Sequence, residues 1–273
     1  MPQFGVVPKA LTVAGSDSGA GAGIQADLKT FAALGVYGTS ALTAITAQNT
    51  LAVLAIAEVP EEVVALQIDA VMEDIGPDAV KTGMLSSASI IEIVADRLEA
   101  WGVDKLVVDP VMIAKSGDRL LQPDATQALR NTLLPLAMIV TPNLPEAQVL
   151  SGREILNDED VQDAARAIAA LGPRIVVVKG GHRKGAPIDV VFDGSTVHEI
   201  SGDRIETLNT HGTGCTFSAA IAANLALGRN PLEAIDAAKR FVAAALTASF
   251  PIGSGHSPVN HFHSVWPLAL EPR

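Results

Sequence analysis

The sequence predicts an α/β fold, a three-layer α/β/α sandwich around a mostly parallel sheet with an antiparallel edge. Three observations predict it. Short apolar runs of strand length alternate with stretches of helical periodicity. The runs are apolar on successive residues, the mark of strands buried on both faces. Two weaker runs flanking one turn read as a hairpin at a sheet edge. With 273 residues, 48% of them hydrophobic, and a mean hydropathy of +0.32, the chain is expected to form one domain over residues 1–273.

The elements follow in order. "LTVAG" at 11–15 is the first strand, and a helix at 24–34 carries Leu28, Phe31 and Leu34 on one stripe. "ALTAITAQN" at 41–49 precedes a helix at 60–72, and "AVKTG" at 79–83 precedes one at 88–100. "LVVDP" at 106–110 is followed by a helical stretch at 124–133. "MIVTPN" at 138–143 leads into a helix that starts near Asn143, and a further helix at 158–171 aligns Val161, Ala165, Ile168 and Leu171. After "IVVVKGG" at 175–181 come the hairpin runs 189–192 and 196–200 around Asp193, Gly194 and Ser195. Helices at 213–227 and 231–247 close the domain, with no internal repeat or linker.

A net charge of −11 argues against nucleic acid and acidic membranes as partners, since both would be repelled. One cysteine cannot form an internal disulfide, so a reducing compartment, the cytoplasm, is expected. Residues 1–9 lack the order of a secretion signal, and the apolar stretches 41–47 and 53–57 are far too short to cross a bilayer.

Each strand ends on polar or glycine-rich residues: "GSDSG", "QNT", "KTG", "DP", "TPNLPE" and "KGG". In open parallel sheets the loops beyond the carboxyl ends share one crevice, so a small-molecule site is expected there. The first glycine-rich turn, "GSDSGAGAG" at 15–23, fails the dinucleotide fingerprint because Ile24 stands where a third glycine or alanine belongs. No phosphate-binding G-x-x-x-x-G-K-[ST] loop, H-E-x-x-H or paired C-x-x-C occurs. His256, His261 and His263 are either metal ligands or parts of a docked or mobile tail, and their irregular spacing favours the second.

The turn "HGTG" at 211–214 opens an alanine-rich helix, so its backbone N–H groups and the helix dipole can hold an anion. Cys215, in the first turn of that helix, is either a small apolar filler or a general base whose thiol the dipole acidifies. Asn143 and Glu146 are either a magnesium-compatible pair, with Asp109 as a second acid, or a helix cap and a surface acid. Lys179 ends the strongest apolar run, so its ammonium meets either a buried carboxylate or a phosphate. Together these are the parts of a phosphoryl-transfer site, with Cys215 as proton acceptor.

The motifs resemble the hydroxymethylpyrimidine/phosphomethylpyrimidine kinases of thiamine biosynthesis, within the ribokinase-like superfamily. The resemblance runs from "LTVAGSDSGAGAGIQADLKTF" at 11–31 through "KTGML", "VVDPVMIAKSGDRLL", "VTPNLPEA" and "VVVKGGH" to "NTHGTGCTFSAAIAANLALG" and "PVNHFH". It implies MgATP-dependent phosphorylation of 4-amino-5-hydroxymethyl-2-methylpyrimidine and then of its monophosphate, by a homodimer. It implies that Gly15, Asp27, Gln48, Met84 and Val111 bind the pyrimidine, with Asp27 and Gln48 facing its ring nitrogens and amino group. Magnesium would fall to Asp109, Asn143 and Glu146, and the nucleotide to Lys179, Asn143, Thr210, Gly212, Thr213 and Gly214. Gly212, Gly214, Cys215 and Lys179 would surround the transferring group.

Relatives in the wider superfamily often carry aspartate at the position of Cys215. The family often has glycine at Ala20, where a methyl is expected to change little if the backbone torsions suit alanine. The segment "AKSGDRLL" at 114–121 is similar to a flexible family segment. The rival readings are a pyridoxal kinase, a dual pyrimidine and pyridoxal kinase, and a non-catalytic binding domain.

Overall fold

The computed structural model describes residues 6–113, 120–122, 125–182 and 187–266. Its strands are β1 (Lys9–Asp17), β2 (Tyr37–Gln48), β3 (Val53–Glu58), β4 (Ala79–Thr82), β5 (Leu106–Val108), β6 (Ile139–Val140), β7 (Ile175–Val178), β8 (Asp189–Phe192) and β9 (Val197–Ile200). They form a nine-stranded sheet in the order β3-β2-β1-β4-β5-β6-β7-β8-β9. From β2 to β7 every pairing is parallel, while β3, β8 and β9 are joined antiparallel. The chain moves outward from β1 to β2 and then returns to β1's other side as β4. That reversal leaves a crevice beyond their carboxyl ends.

The helices are α1 (Gly23–Ala33), α2 (Glu61–Asp74), α3 (Ala88–Ala100), α4 (Ala125–Ala128), α5 (Leu144–Ser151), α6 (Asp158–Ala169), α7 (Thr213–Ala226) and α8 (Pro231–Thr247). They cover both faces, as the apolar runs predict. On one face α1, α7 and α8 bury Phe31, Ile221 and Ile235 with Val107, Ile139, Ile175 and Val177 of the sheet. On the other, α2, α3 and α6 bury Ile68, Ile91 and Ile168 with Val108, Val140, Val176 and Val178. No described helix is long and apolar enough to cross a membrane.

Two expectations are corrected. The sheet has antiparallel edges on both sides, because the run at 53–57 is strand β3. Its residues are almost all exposed, with Leu54 at 73%, so no buried face marked it as a strand. The helix expected at 124–133 stays α-helical only over Ala125–Ala128, then widens to a π-helical turn over Leu129–Leu133 and a 3-10 turn over Leu134–Leu136. Pro135 in that last turn has no N–H to donate and blocks a regular continuation. Asp124 lies outside the described residues, as does 114–119 of the segment expected to be flexible.

Ala20 sits at φ 59°, where L-residues other than glycine are strained, so its torsions do not suit alanine. Ala20→Gly is expected to stabilise the protein by about 1 kcal/mol, read as a higher Tm in thermal denaturation. A lower Tm would show that the methyl is held by contacts worth more than the strain.

Candidate active site

The pleat aims the catalytic candidates. Since 107, 139, 175 and 177 face the α1/α7/α8 layer, Asp109 and Lys179, an even number of residues further on, turn toward the same layer. There Ser218 of α7 donates to Asp109 Oδ2 at 3.3 Å, and Lys179 Nζ lies 3.1 Å from Asp109 Oδ1. A side chain on Gly214 would sit 3.3 Å from Lys179 Nζ, so that glycine lets the first turn of α7 lie against the ammonium. Lys179 therefore meets a carboxylate, and it also borders the open cleft.

Asn143 and Glu146 form a capping box on α5. Asn143 Oδ1 accepts from the Glu146 N–H at 2.9 Å, and Glu146 Oε2 accepts from the Asn143 N–H at 2.8 Å. The cap reading of Asn143 holds, but Glu146 is buried rather than a surface acid. Burial pushes its carboxyl up to about 7, with Lys179 opposing and Asp109 adding to the rise.

The first glycine turn wraps Asp17, whose carboxylate accepts from the N–H groups of Gly19, Gly21 and Ala22. Across the crevice the second turn meets it backbone to backbone. Gly212, at φ 74°, caps α7, and any side chain there would collide with the Gly21 carbonyl. Thr213 donates its hydroxyl to the Thr210 carbonyl at 2.6 Å, which closes this turn.

Cys215 follows, half-buried, with the Gly23 N–H directed at its sulfur. The expectation of an acidified thiol is overturned: burial pushes it up to about 11, Lys81 opposes, and Asp109 and Asp27 add to the rise. The dipole of α7 is outweighed because the thiolate would be taken from water and set near two acids.

These groups line one cleft of about 610 Å³, within the range of small-molecule sites. Gly15, Gln48, Met84, Val111, Asp109, Asn143, Glu146, Lys179, Thr210, Gly212, Thr213, Gly214 and Cys215 all border it. Asp27 does not. It is fully buried beneath the cleft in an ion pair with Lys81 at 2.8 Å and accepts from Thr12 at 2.6 Å, so no pyrimidine reaches it. Sequence reasoning also passed over Lys81, Asp17 and His211. Lys81 carried the same signal as Lys179, a lone ammonium in the apolar run "AVKTG".

Among the described residues no cluster of three or more His, Cys, Asp or Glu could hold a metal ion. Magnesium, however, commonly takes one or two carboxylates and fills the remainder with water and phosphate oxygens. Asp109 and Glu146 would suit it, since Asp109 adds to the burial-driven rise of the Glu146 pKa and a cation held there would relieve it. Of the C-terminal histidines, His261 and His263 are docked and His256 is exposed. His261 is hydrogen-bonded to Thr216 at 3.0 Å, with burial pushing its pKa down to about 3, and His263 packs on the Phe241 ring.

A family model described as phosphomethylpyrimidine kinase matches residues 17–260. A hydroxymethylpyrimidine/phosphomethylpyrimidine kinase of Rhizobium meliloti (strain 1021) is 55% identical over 94% of this chain and 98% of its own. Among solved structures, a phosphomethylpyrimidine kinase from Clostridium difficile 630 superposes with a TM-score of 0.79 at 45% identity, covering 88% of this chain and 99% of that one. An ADP complex of Bacillus subtilis pyridoxal kinase gives 0.88 at 44% identity, covering 94% and 98%.

Proposed function

The chain belongs to the phosphomethylpyrimidine kinase family, and we propose that its cleft moves the γ-phosphoryl group of ATP onto 4-amino-5-hydroxymethyl-2-methylpyrimidine and then onto the resulting monophosphate. It is a kinase of thiamine biosynthesis. The observation that carries the reading is the meeting of Lys179, Asp109 and Glu146 with the glycine-lined first turn of α7, next to Cys215. Phosphoryl transfer asks for positioning and charge stabilisation, and those are what the groups supply.

In this reading the pyrimidine lies against Gly15, Gln48, Met84 and Val111, where Gly15 leaves room for the Met84 sulfur. Its hydroxymethyl oxygen attacks the γ-phosphorus, the bond to the β-phosphate oxygen breaks, and ADP leaves. The hydroxyl proton passes to Cys215 in its thiolate form. The N–H groups of the turn at 212–214 and the Lys179 ammonium hold the charge that builds on the phosphoryl oxygens. Asp109 and Glu146 would hold magnesium, which when bound neutralises phosphate charge.

Lys179→Ala is expected to lower kcat/KM for ATP by about 10–100-fold, the scale of one lost charged hydrogen bond. Unchanged kinetics would remove Lys179 from the phosphate. The function itself is tested by incubating pure protein with ATP and the pyrimidine alcohol and resolving mono- from diphosphate. A preference for pyridoxal in parallel assays would favour the pyridoxal kinase reading, and the absence of any ATP-dependent product would favour a binding domain.

The protein works as a cytoplasmic homodimer in this reading. The exposed Ile45, Leu54 and Ile56 on the β2–β3 edge support self-association, and sedimentation would measure it.

A further inference from the structure

Asp17 and His211 come from opposite ends of the sequence and meet at the mouth of the cleft. His211 Nε2 lies 2.9 Å from Asp17 Oδ2, and both side chains are nearly buried. The same carboxylate accepts from Gly19, Gly21 and Ala22, so four donors converge on its two oxygens. A carboxylate so occupied is neither a free base nor an open ligand. It is an anchor.

What it anchors is specific. Ala22 is the N-cap of α1 and Gly212 the N-cap of α7, so Asp17 ties together the starts of the two helices that face the reacting centre. The contact is close enough to require glycine at both crossing points: a side chain on Gly21 would run into the His211 ring, and one on Gly212 into the Gly21 carbonyl. Next along α1, the Gly23 N–H points at the Cys215 sulfur, which α7 carries. The spacing between that N–H and that sulfur is set by nothing covalent nearby, since Gly23 and Cys215 stand 192 positions apart in the sequence.

The C-terminal segment braces His211 from behind. The His211 N–H donates to the Ser257 carbonyl at 3.0 Å, and His211 forms a bridge with Pro258. Asp17 thus holds the His211 ring while the C-terminal segment holds its backbone.

We propose that Asp17 and His211 are positioning residues for phosphoryl transfer: their contact fixes the anion-holding turn at 211–214, and Cys215 with it, against the first glycine turn. The inference rests on the kinase reading of the cleft. Because the pair orients the reacting centre and does not hold the pyrimidine, its loss acts on kcat rather than on KM for the pyrimidine. Gln at 211 can place an amide N–H near the position of Nε2, whereas Ala cannot.

The test measures kcat and pyrimidine KM for Asp17→Asn, His211→Ala and His211→Gln against the wild-type enzyme. His211→Ala and Asp17→Asn are expected to lose at least about tenfold in kcat with KM within about threefold, and His211→Gln to recover most of the loss. Wild-type kcat in His211→Ala, a loss confined to KM, or Gln performing no better than Ala would each overturn the proposal. Should Asp17→Asn fail to fold, the two His211 variants decide the matter. Failure of the kinase reading is separate, since the wild-type protein would then form no phosphorylated product.

Discussion

Cys215→Ala is expected to lower kcat by about 10²–10⁴-fold while leaving KM for the pyrimidine nearly unchanged. The thiol stands at the first turn of α7, so its removal takes away a proton acceptor and leaves the walls of the cleft in place. Its pKa adds a second signature. With burial holding the thiol up to about 11, nearly all of it is protonated at neutral pH, and only the small thiolate fraction can accept a proton. That fraction grows about tenfold per pH unit below the pKa, so kcat/KM should climb from pH 7 to pH 9. Cys215→Asp, whose carboxyl ionises far lower, should flatten that climb. Wild-type turnover in the alanine variant, or a flat wild-type profile over the same range, would take Cys215 out of the proton transfer.

Lys81→Met is expected to cost about 3–5 kcal/mol of stability, a fall in Tm of roughly 10 °C. Lys81 and Asp27 are both wholly inaccessible, so removing the ammonium strands a carboxylate with one oxygen already lacking any hydrogen-bond partner. Burial works to lower the lysine pKa, yet Asp27, Cys215 and Asp109 together outweigh it and keep the ammonium charged. The double variant Lys81→Met/Asp27→Asn should recover much of the loss, because breaking a buried pair costs far more than replacing it. It should remain slow in turnover, since losing the Lys81 charge raises the Cys215 thiol by more than losing the Asp27 charge lowers it. A loss below about 1 kcal/mol in the single variant would mean that water or a neighbour relieves the stranded acid.

The layers were legible because burial leaves a periodic trace. The helices at 88–100 and 231–247 end where the spacing places them, and runs such as "IVVVKGG" mark the doubly covered strands. Strand β3 left no such trace, since exposed residues carry no alternation. The site was legible as far as strand endings go, because polar residues after apolar runs reach one rim. Partners were not legible. Whether Lys179 or Lys81 faces a ligand, and whether Asp27 faces substrate or a lysine, depends on contacts across 54 to 70 positions of sequence. The thiol's direction of shift was missed for the same reason: the helix is local, but the burial and the two acids are not.

The aim of Asp109 and Lys179 into one layer has a further outcome. Strands β5, β6 and β7 are three, two and four residues long, and their side-chain parity alone chooses the layer that each terminal group enters. Inserting a single residue in β5 would send the carboxylate to the opposite side of the sheet, while two would restore its heading and merely lengthen the strand. Descendants of this chain are thus free to vary the loops that greet a new acceptor molecule, but the central ladder can drift only in even steps.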